Sequence, residues 1–442
     1  MHRRIHDFLG ALRLCCLYPL AEKAQRRAIT PKLRLLRAEA ALPFAQRKAW
    51  AEKRLTAMLE HAQNTVPYYR ALFARLGFDP ANLRKDIRYF EDLPYLTKDI
   101  LREQGRGLIS EAYAAKVVRE QKTGSSTGLA ATVYYDREGL DWTAAQNILM
   151  LEWGGKRRYN REAHLSTRFA RPSPQQLRFE AKKCLALNRK NIYTDGFGDA
   201  SQERLLRDLR AANAVAVQGH PSSLFALARY LDRQGRKETG LFRIFVSTGE
   251  MITPKQRKCI EEVFAARVAN RYGACEFGVM AQERENGPKG ELMVSDSLVW
   301  PEARPLRETG ELVFTNLRNR VMPLIRYCPG DLGKLEERED GWWITELTGR
   351  VHDRVAINGT DYPTHYVQDL LDRCGPVADF QIAVKDETAL ELRLVVPPEG
   401  WEGVAAAVRE YFPSLPLRRI DPNELVFTGI RGKFSYLVRE EA

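Results

Sequence analysis

Between Ala214 and Gly278 the chain alternates between two periodicities, and this constrains the fold more than any other feature. AVAVQG reads as a strand, PSSLFALARYLDRQ as a helix and FRIFVSTGE as a strand again. TPKQRKCIEEVFAARV then reads as a helix with Thr253 at its N-cap and Pro254 in its first turn, and VANRYGACEFG closes the run as a short strand and loop. Strands separated by helices imply parallel pairing, because a crossover is needed to return the chain to the same end of a sheet. The fold class is therefore α/β, with a large N-terminal domain built on mostly parallel sheets. Ligands of such sheets gather beyond the carboxyl ends of the strands, where STGE (247–250) and YGACEFG (272–278) both stand.

With 442 residues and 44% apolar content, the chain can bury a large core in two or three domains. Its net charge of +12 is concentrated at one end, since residues 1–56 hold 13 Lys and Arg against 4 Asp and Glu. In MHRRIHDFLGALRLCCLYPL, the residues Ile5, Phe8, Leu9, Leu12 and Cys16 share one side of a helix, with Arg3, Arg4 and Arg13 elsewhere on it and Pro19 expected to stop it. A basic amphipathic helix of this kind can lie on an anionic membrane surface or dock on a partner, and it can equally pack on its own domain. It is too short to span a bilayer, and Arg13 interrupts the apolar run that a secretory signal needs. No nucleic-acid partner is expected, because the positive excess lacks the interleaved aromatics that stack bases. Seven cysteines without C-x-x-C spacing point to reduced thiols in the cytoplasm. Among the seven histidines there is no H-E-x-x-H, and GHPSS (219–223) is not a nucleophile elbow, so metal-hydrolase and serine-hydrolase readings lack their parts.

KTGSSTG (122–128) lies just before the strand-like ATVYYD and a helix from about Arg137 to Trp153. Hydroxyls among glycines offer donors and unobstructed backbone N–H groups to a phosphate chain, although a polar hairpin turn has the same composition. The last hundred residues form a small α+β unit: FQIAVKDETALELRLVV as a hairpin, WEGVAAAVREYF as a helix, and NELVFT as a strand before RGKFSYLVRE.

Six motifs in order resemble those of the adenylate-forming superfamily of acyl- and aryl-CoA synthetases, and within it the phenylacetate-CoA ligase and capsular-biosynthesis CapK-like branch. These are TGSSTG, STGE, YGACEFG, RYCPGDL, LTGRVHD and GKFSYLV, preceded by HAQNTVPYYRALF and EDLPYLTKDIL, and the resemblance runs from about Leu55 onward. It leaves residues 1–54 as the basic amphipathic helical N-terminal segment and implies a large domain (55–348) and a small mobile C-terminal domain (349–442). It also implies that ATP and Mg²⁺ activate a carboxylic acid to an acyl-AMP, which coenzyme A then accepts as a thioester. Transfer to an amine, a carrier protein or a saccharide precursor is the near alternative, and a catalytically silent basic adaptor on the same scaffold a more distant one.

By the same resemblance, Thr123, Gly124, Ser125, Ser126, Thr127 and Gly128 would wrap the β- and γ-phosphates, with Leu129 standing where the family often has a lysine. Tyr272 would stack on adenine with Gly249 and Glu250 at its rim, while Gly273 and Ala274 would border the acid. Glu276 would hold Mg²⁺, Asp331 the ribose hydroxyls, and Arg350 would add a cation near ribose or phosphate. Lys433 would reach the α-phosphate and carboxylate oxygens during adenylation and withdraw when the small domain turns. His352 and Asp353 stand where the branch often has two acids, and the loop containing Asn358 and Gly359 would pass the pantetheine arm. The zinc-site cysteine and histidine of some relatives are missing from MAQERENGPKGELMV, so no zinc is expected. The enzyme would be cytoplasmic, with contact at the inner face of the membrane left open.

Overall fold

The computed structural model describes residues 2–122, 131–166, 173–193, 199–306, 309–350, 354–357, 360–371, 374–384, 390–428 and 433–439. Its first helix, α1 (His2–Leu12), passes through a π-helical turn (Arg13–Leu17) into α2 (Tyr18–Ala24). Pro19 therefore does not stop the helix. It falls in the first turn of α2, where a missing N–H is tolerated and the proline ring suits the backbone.

α1 docks on the body through the side opposite to its apolar stripe. Asn160 donates to Asp7 at 3.0 Å, Arg13 donates to Asn188 at 2.7 Å, and the Arg158 guanidinium lies 4.2 Å from the ring centre of the buried Tyr18. A Cβ on Gly10 would come within 2.1 Å of the Tyr159 carbonyl oxygen, so only glycine permits this approach. Phe8 (69% exposed), Leu12 (52%) and Leu20 (65%) are left facing outward.

Helices α3 (Ile29–Ala40), α4 (Phe44–Thr65) and α5 (Pro67–Leu76) follow. They bury Leu33, Leu36, Leu55, Leu59 and Phe73 in the larger core, and Pro67 heads α5 as its composition requires. α6 (Lys98–Gln104) is capped by Thr97, whose hydroxyl accepts from the Ile100 N–H. The hairpin of β1 (Arg119–Lys122) and β2 (Thr132–Tyr135) leads into α7 (Arg137–Trp153), where Asp136 caps by accepting from the Gly139 N–H at 2.7 Å. The loop 123–128 between these strands lies outside the described residues.

The central unit then winds β3 (Glu162–Ser166), α8 (Pro174–Ala186), β4 (Arg189–Tyr193), α9 (Asp199–Ala212), β5 (Ala216–Gly219), α10 (Pro221–Arg233), β6 (Ile244–Ser247), α11 (Pro254–Phe264) and β7 (Arg267–Ala274). The capping box of Thr253 and Gln256 opens α11 at the expected residue. Beyond it run β8 (Gly278–Gln282), β9 (Leu292–Val294), β10 (Val299–Leu306), β11 (Thr309–Asn316), β12 (Asp331–Arg338) and β13 (Gly341–Arg350). Together they form one 11-stranded sheet in the order β10-β11-β12-β13-β9-β8-β7-β6-β5-β3-β4. Pairing is parallel from β4 to β7 and antiparallel from β7 onward. Parallel pairing thus extends less far than the sequence predicts, because short connections after β7 allow hairpin-like returns.

Register sorts the parallel strands into two faces. Val217, Phe245 and Val268 pack with Leu224, Leu227, Ile260 and Val263 under α10 and α11. Ala216, Ile244, Val246 and Ala269 face the other way, against Leu151 of α7.

The C-terminal module has its own core, which includes Phe380, Ile382, Leu392, Leu394, Val404 and Phe412. It consists of the hairpin β14 (Arg354–Ile357) and β15 (Thr360–Pro363), α12 (Thr364–Leu371), β16 (Asp379–Val384), β17 (Leu390–Val395), α13 (Trp401–Tyr411) and β18 (Leu417–Ile420). The short pair β19 (Phe427–Thr428) and β20 (Lys433–Phe434) precedes β21 (Leu437–Arg439), and a four-stranded sheet runs β18-β17-β16-β21. Among the described residues no helix is long and apolar enough to cross a membrane.

Candidate active site

The carboxyl ends of β6 and β7 are adjacent, with Ser247 opposite Asn270, so STGE and YGACEFG meet as the parallel pattern requires. β7 carries a bulge between Tyr272 and Gly273, and a Cβ on Gly273 would lie 2.6 Å from the Gly278 carbonyl oxygen. The bulge turns the strand into the loop that presents Glu276. Tyr135, at the end of β2, donates to the carbonyls of Glu276 (2.6 Å) and Cys275 (3.1 Å). The strand leaving the serine–threonine loop is thereby tied to the backbone of the Glu276 loop.

Glu276 is 6% exposed, and its Oε1 accepts from the Tyr327 hydroxyl at 2.8 Å. Burial pushes its carboxyl pKa up, while the Tyr327 hydroxyl and the positive charge of Lys98 oppose that push. Tyr272 donates to Asp331 Oδ2 at 2.7 Å, so the residues assigned to adenine and ribose are joined by one hydrogen bond. The Tyr272 ring is buried against Phe314, with 5.8 Å between ring centroids. Asp331 opens β12 directly opposite Arg350, the last residue of β13. Glu276, Tyr272, Asp331 and the Arg350 backbone thus converge on one end of the sheet.

Gly249 takes a positive φ of 84°, and a Cβ there would come within 2.9 Å of His220 Cε1. Glu250 meets His220 Nδ1 at 2.9 Å and accepts from the Ser222 N–H at 3.3 Å. The STGE turn is therefore fixed to the N-terminus of α10, where a carboxylate is also favoured by the helix dipole.

Lys433 lies in β20, paired with Thr428 of β19. The fully buried Gln381 holds this hairpin at both ends: its amide donates to the carbonyls of Val426 (2.7 Å) and Ser435 (2.9 Å), and its oxygen accepts from the Val426 N–H (2.8 Å). The side chains of Lys433 and Arg350, together with residues Thr123 to Gly128, His352, Asp353, Asn358 and Gly359, lie outside the described residues. The module also touches the large domain, where Lys255 donates to the Val377 carbonyl at 3.0 Å. Beside this contact, burial pushes Asp379 up to about 7 against the attraction of Arg229 and Lys255.

Sequence reasoning missed Lys98, Tyr327, His220 and Gln381. Lys98 did leave a signal, since a lysine in the first turn after a threonine N-cap opposes the helix dipole and calls for a partner elsewhere.

No family model matches the chain. Its fold is similar to that of 2-hydroxyisobutyryl-CoA ligase in the postadenylation state, with a TM-score of 0.69, 17% identity, and 90% of this chain and 91% of that one covered. It is 27% identical over 338 residues to the phenylacetate-coenzyme A ligase of Pseudomonas putida, covering 72% of this chain and 74% of the relative. The corresponding ligase of Thermus thermophilus is 27% identical over 369 residues, covering 79% and 81%. Fold and motif order together define an enzyme scaffold of the carboxylate-adenylating class. The chain is thus similar in sequence to phenylacetate-CoA ligases and in fold to an adenylate-forming CoA ligase.

Proposed function

We propose that the protein activates a carboxylic acid with ATP and passes the acyl group to coenzyme A. The acid's oxygen attacks the α-phosphorus, the bond to the β-phosphate oxygen breaks, and pyrophosphate leaves with its electron pair. The thiol sulfur of coenzyme A then attacks the acyl carbon, AMP leaves, and the thiol proton passes to solvent. Such steps depend on positioning and on neutralising phosphate charge more than on a covalent protein intermediate.

The observation that carries this reading is the convergence of buried Glu276 and of Asp331, each held by a tyrosine hydroxyl, at the carboxyl end of β7. Four phenylacetate-CoA ligases are similar to this chain over about three quarters of its length. In this reading Asp331 binds the ribose diol, residues 123–128 the phosphates, Arg350 the ribose or phosphate, and Lys433 the developing charge. Gly249, Glu250 and Tyr272 border adenine, while Gly273 and Ala274 border the acid. Among the described residues no group of three metal-ligating side chains occurs. Glu276 fits as the single carboxylate ligand of Mg²⁺, whose other positions would be taken by phosphate oxygens and water. When bound, the ion supplies charge neutralisation on the phosphates.

Acid-dependent ATP–pyrophosphate exchange tests the first half-reaction, and loss of free thiol from coenzyme A tests the second. Exchange without thiol loss would move the acceptor to an amine, a carrier thiol or a saccharide precursor. Absence of exchange with every acid would leave the silent adaptor.

A peripheral contact with the inner face of the membrane is the second reading, favoured by the outward apolar stripe of α1 beside a basic segment. The full chain should co-sediment with phosphatidylglycerol-containing vesicles, and Phe8→Asp with Leu12→Asp should release it. Equal sedimentation of both proteins would remove this reading.

A further inference from the structure

The sheet face beneath α7 changes character along the strands. Its lower part is apolar, formed by Ala216, Ile244, Val246 and Ala269 against Leu151. Toward the carboxyl ends it becomes polar. His164 of β3 and Gln218 of β5 are register partners there, and Arg271 of β7 lies on the same face two residues beyond Ala269. From above, Asn147 of α7 accepts from Arg271 Nη2 at 2.9 Å.

These buried groups are incompletely satisfied. Among the described residues, Gln218 (9% exposed) has no hydrogen-bond partner on Oε1 and Arg271 (5%) has none on Nε. Buried polar atoms are normally paired, so a cluster of unpaired ones marks a place where something else binds.

The charge balance has a definite sign. Glu162 is buried between Arg189 at 2.7 Å and Lys156 at 3.2 Å, and its field reaches Arg271. Among the described residues, one carboxylate therefore faces three cations. Arg271 keeps its charge at neutral pH, because burial lowers it only to about 10, while His164, pushed down to about 4 by burial, is a neutral hydrogen-bonding group. A cationic guanidinium with an unused N–H suits a carboxylate, and the unpaired amide oxygen beside it suits a hydroxyl.

Arg271 lies two residues before Gly273, where the acid is proposed to sit. We infer that the acid activated here carries an anionic or hydroxylated group at the end remote from its reacting carboxylate, received by Arg271 and Gln218, with a dicarboxylic acid as the simplest case. A bare phenyl or alkyl end would leave those groups desolvated and unpaired. This inference rests on the adenylation reading above and narrows its substrate.

ATP–pyrophosphate exchange by the full chain tests it, using three sets of acids matched in length: phenylacetate and hexanoate, their hydroxylated counterparts, and dicarboxylic acids such as adipate. At least one polar set should exceed the apolar set by tenfold or more in kcat/KM. Arg271→Met should lower kcat/KM for the preferred acid at least tenfold, leave the KM for ATP unchanged and narrow the preference over phenylacetate. Phenylacetate or hexanoate equal to or better than both polar sets in the unmodified protein would overturn the inference while leaving adenylation in place, and that result does not depend on how the variant folds. No exchange with any acid would instead overturn the adenylation reading together with this inference.

Discussion

Replacing Tyr327 with phenylalanine removes one oxygen atom from a closed site and isolates what that oxygen does for Glu276. The hydroxyl donates at 2.8 Å to a carboxylate that is 6% exposed, and burial already favours the protonated form of that carboxylate. The Tyr327 ring stays packed against Phe277, so the core loses little. A hydrogen bond to a buried charged group contributes about 1.5–3 kcal/mol. If Glu276 must be ionised to hold Mg²⁺–ATP, exchange should fall by roughly 10- to 150-fold at neutral pH. The sign of the pH effect follows from the same geometry. Removing a donor that lowers the carboxyl pKa lets burial raise it further, so the acidic limb of the kcat/KM profile should move to higher pH. The assay is acid-dependent ATP–pyrophosphate exchange from pH 5.5 to 9, with Tyr135→Phe as the comparison, since that hydroxyl holds the backbone of the same loop and not its carboxylate. An unmoved acidic limb with less than a twofold loss would refute the assignment of Glu276 as the ionised ligand.

Lys433→Ala should abolish most exchange while ATP still binds, as read by nucleotide protection against thermal unfolding; unchanged exchange would remove this lysine from the mechanism. Asp379 gives a prediction about pH and stability. Its pKa rises on folding from an ordinary value of 3.8 to about 7, so the folded state gains a proton as pH falls, and stability is lost as pH climbs toward and past 7. Between pH 8 and pH 6 the unmodified protein should gain about 1.4 kcal/mol from this group, and Asp379→Asn should lose that gain in paired denaturation curves. Parallel curves for the two proteins would show that the contact near Lys255 and Val377 does not bury this carboxyl as described.

What the sequence made legible, and what it hid, separates by the range of the interaction. The alternating strands and helices of 214–278, the Thr253 cap and the hairpin of β16 and β17 are local, and a period of two or near four records them directly. Pro19 misled because its effect depends on which helical turn it occupies, and the π-helical turn before it reset that count. Glu276 and Asp331 were reachable through the order of motifs, whereas the hydroxyls that hold them were not. Tyr327 meets Glu276 across 51 residues, and Tyr272 meets Asp331 across 59. Each of those tyrosines lies inside a motif that had already been assigned another duty. Arg271 shows the limit most sharply, because in VANRYG it reads as a polar residue in a short strand. Only the register of β5, β6 and β7 places it on the α7 face, and only its burial turns that placement into a chemical demand. Hydrophobic periodicity can say that such a residue is out of pattern. What it cannot encode is that Gln218, 53 positions earlier, is buried on the same sheet face with its amide oxygen unpaired among the described residues, so the demand for a polar ligand arises from two local anomalies that the fold brings under one helix.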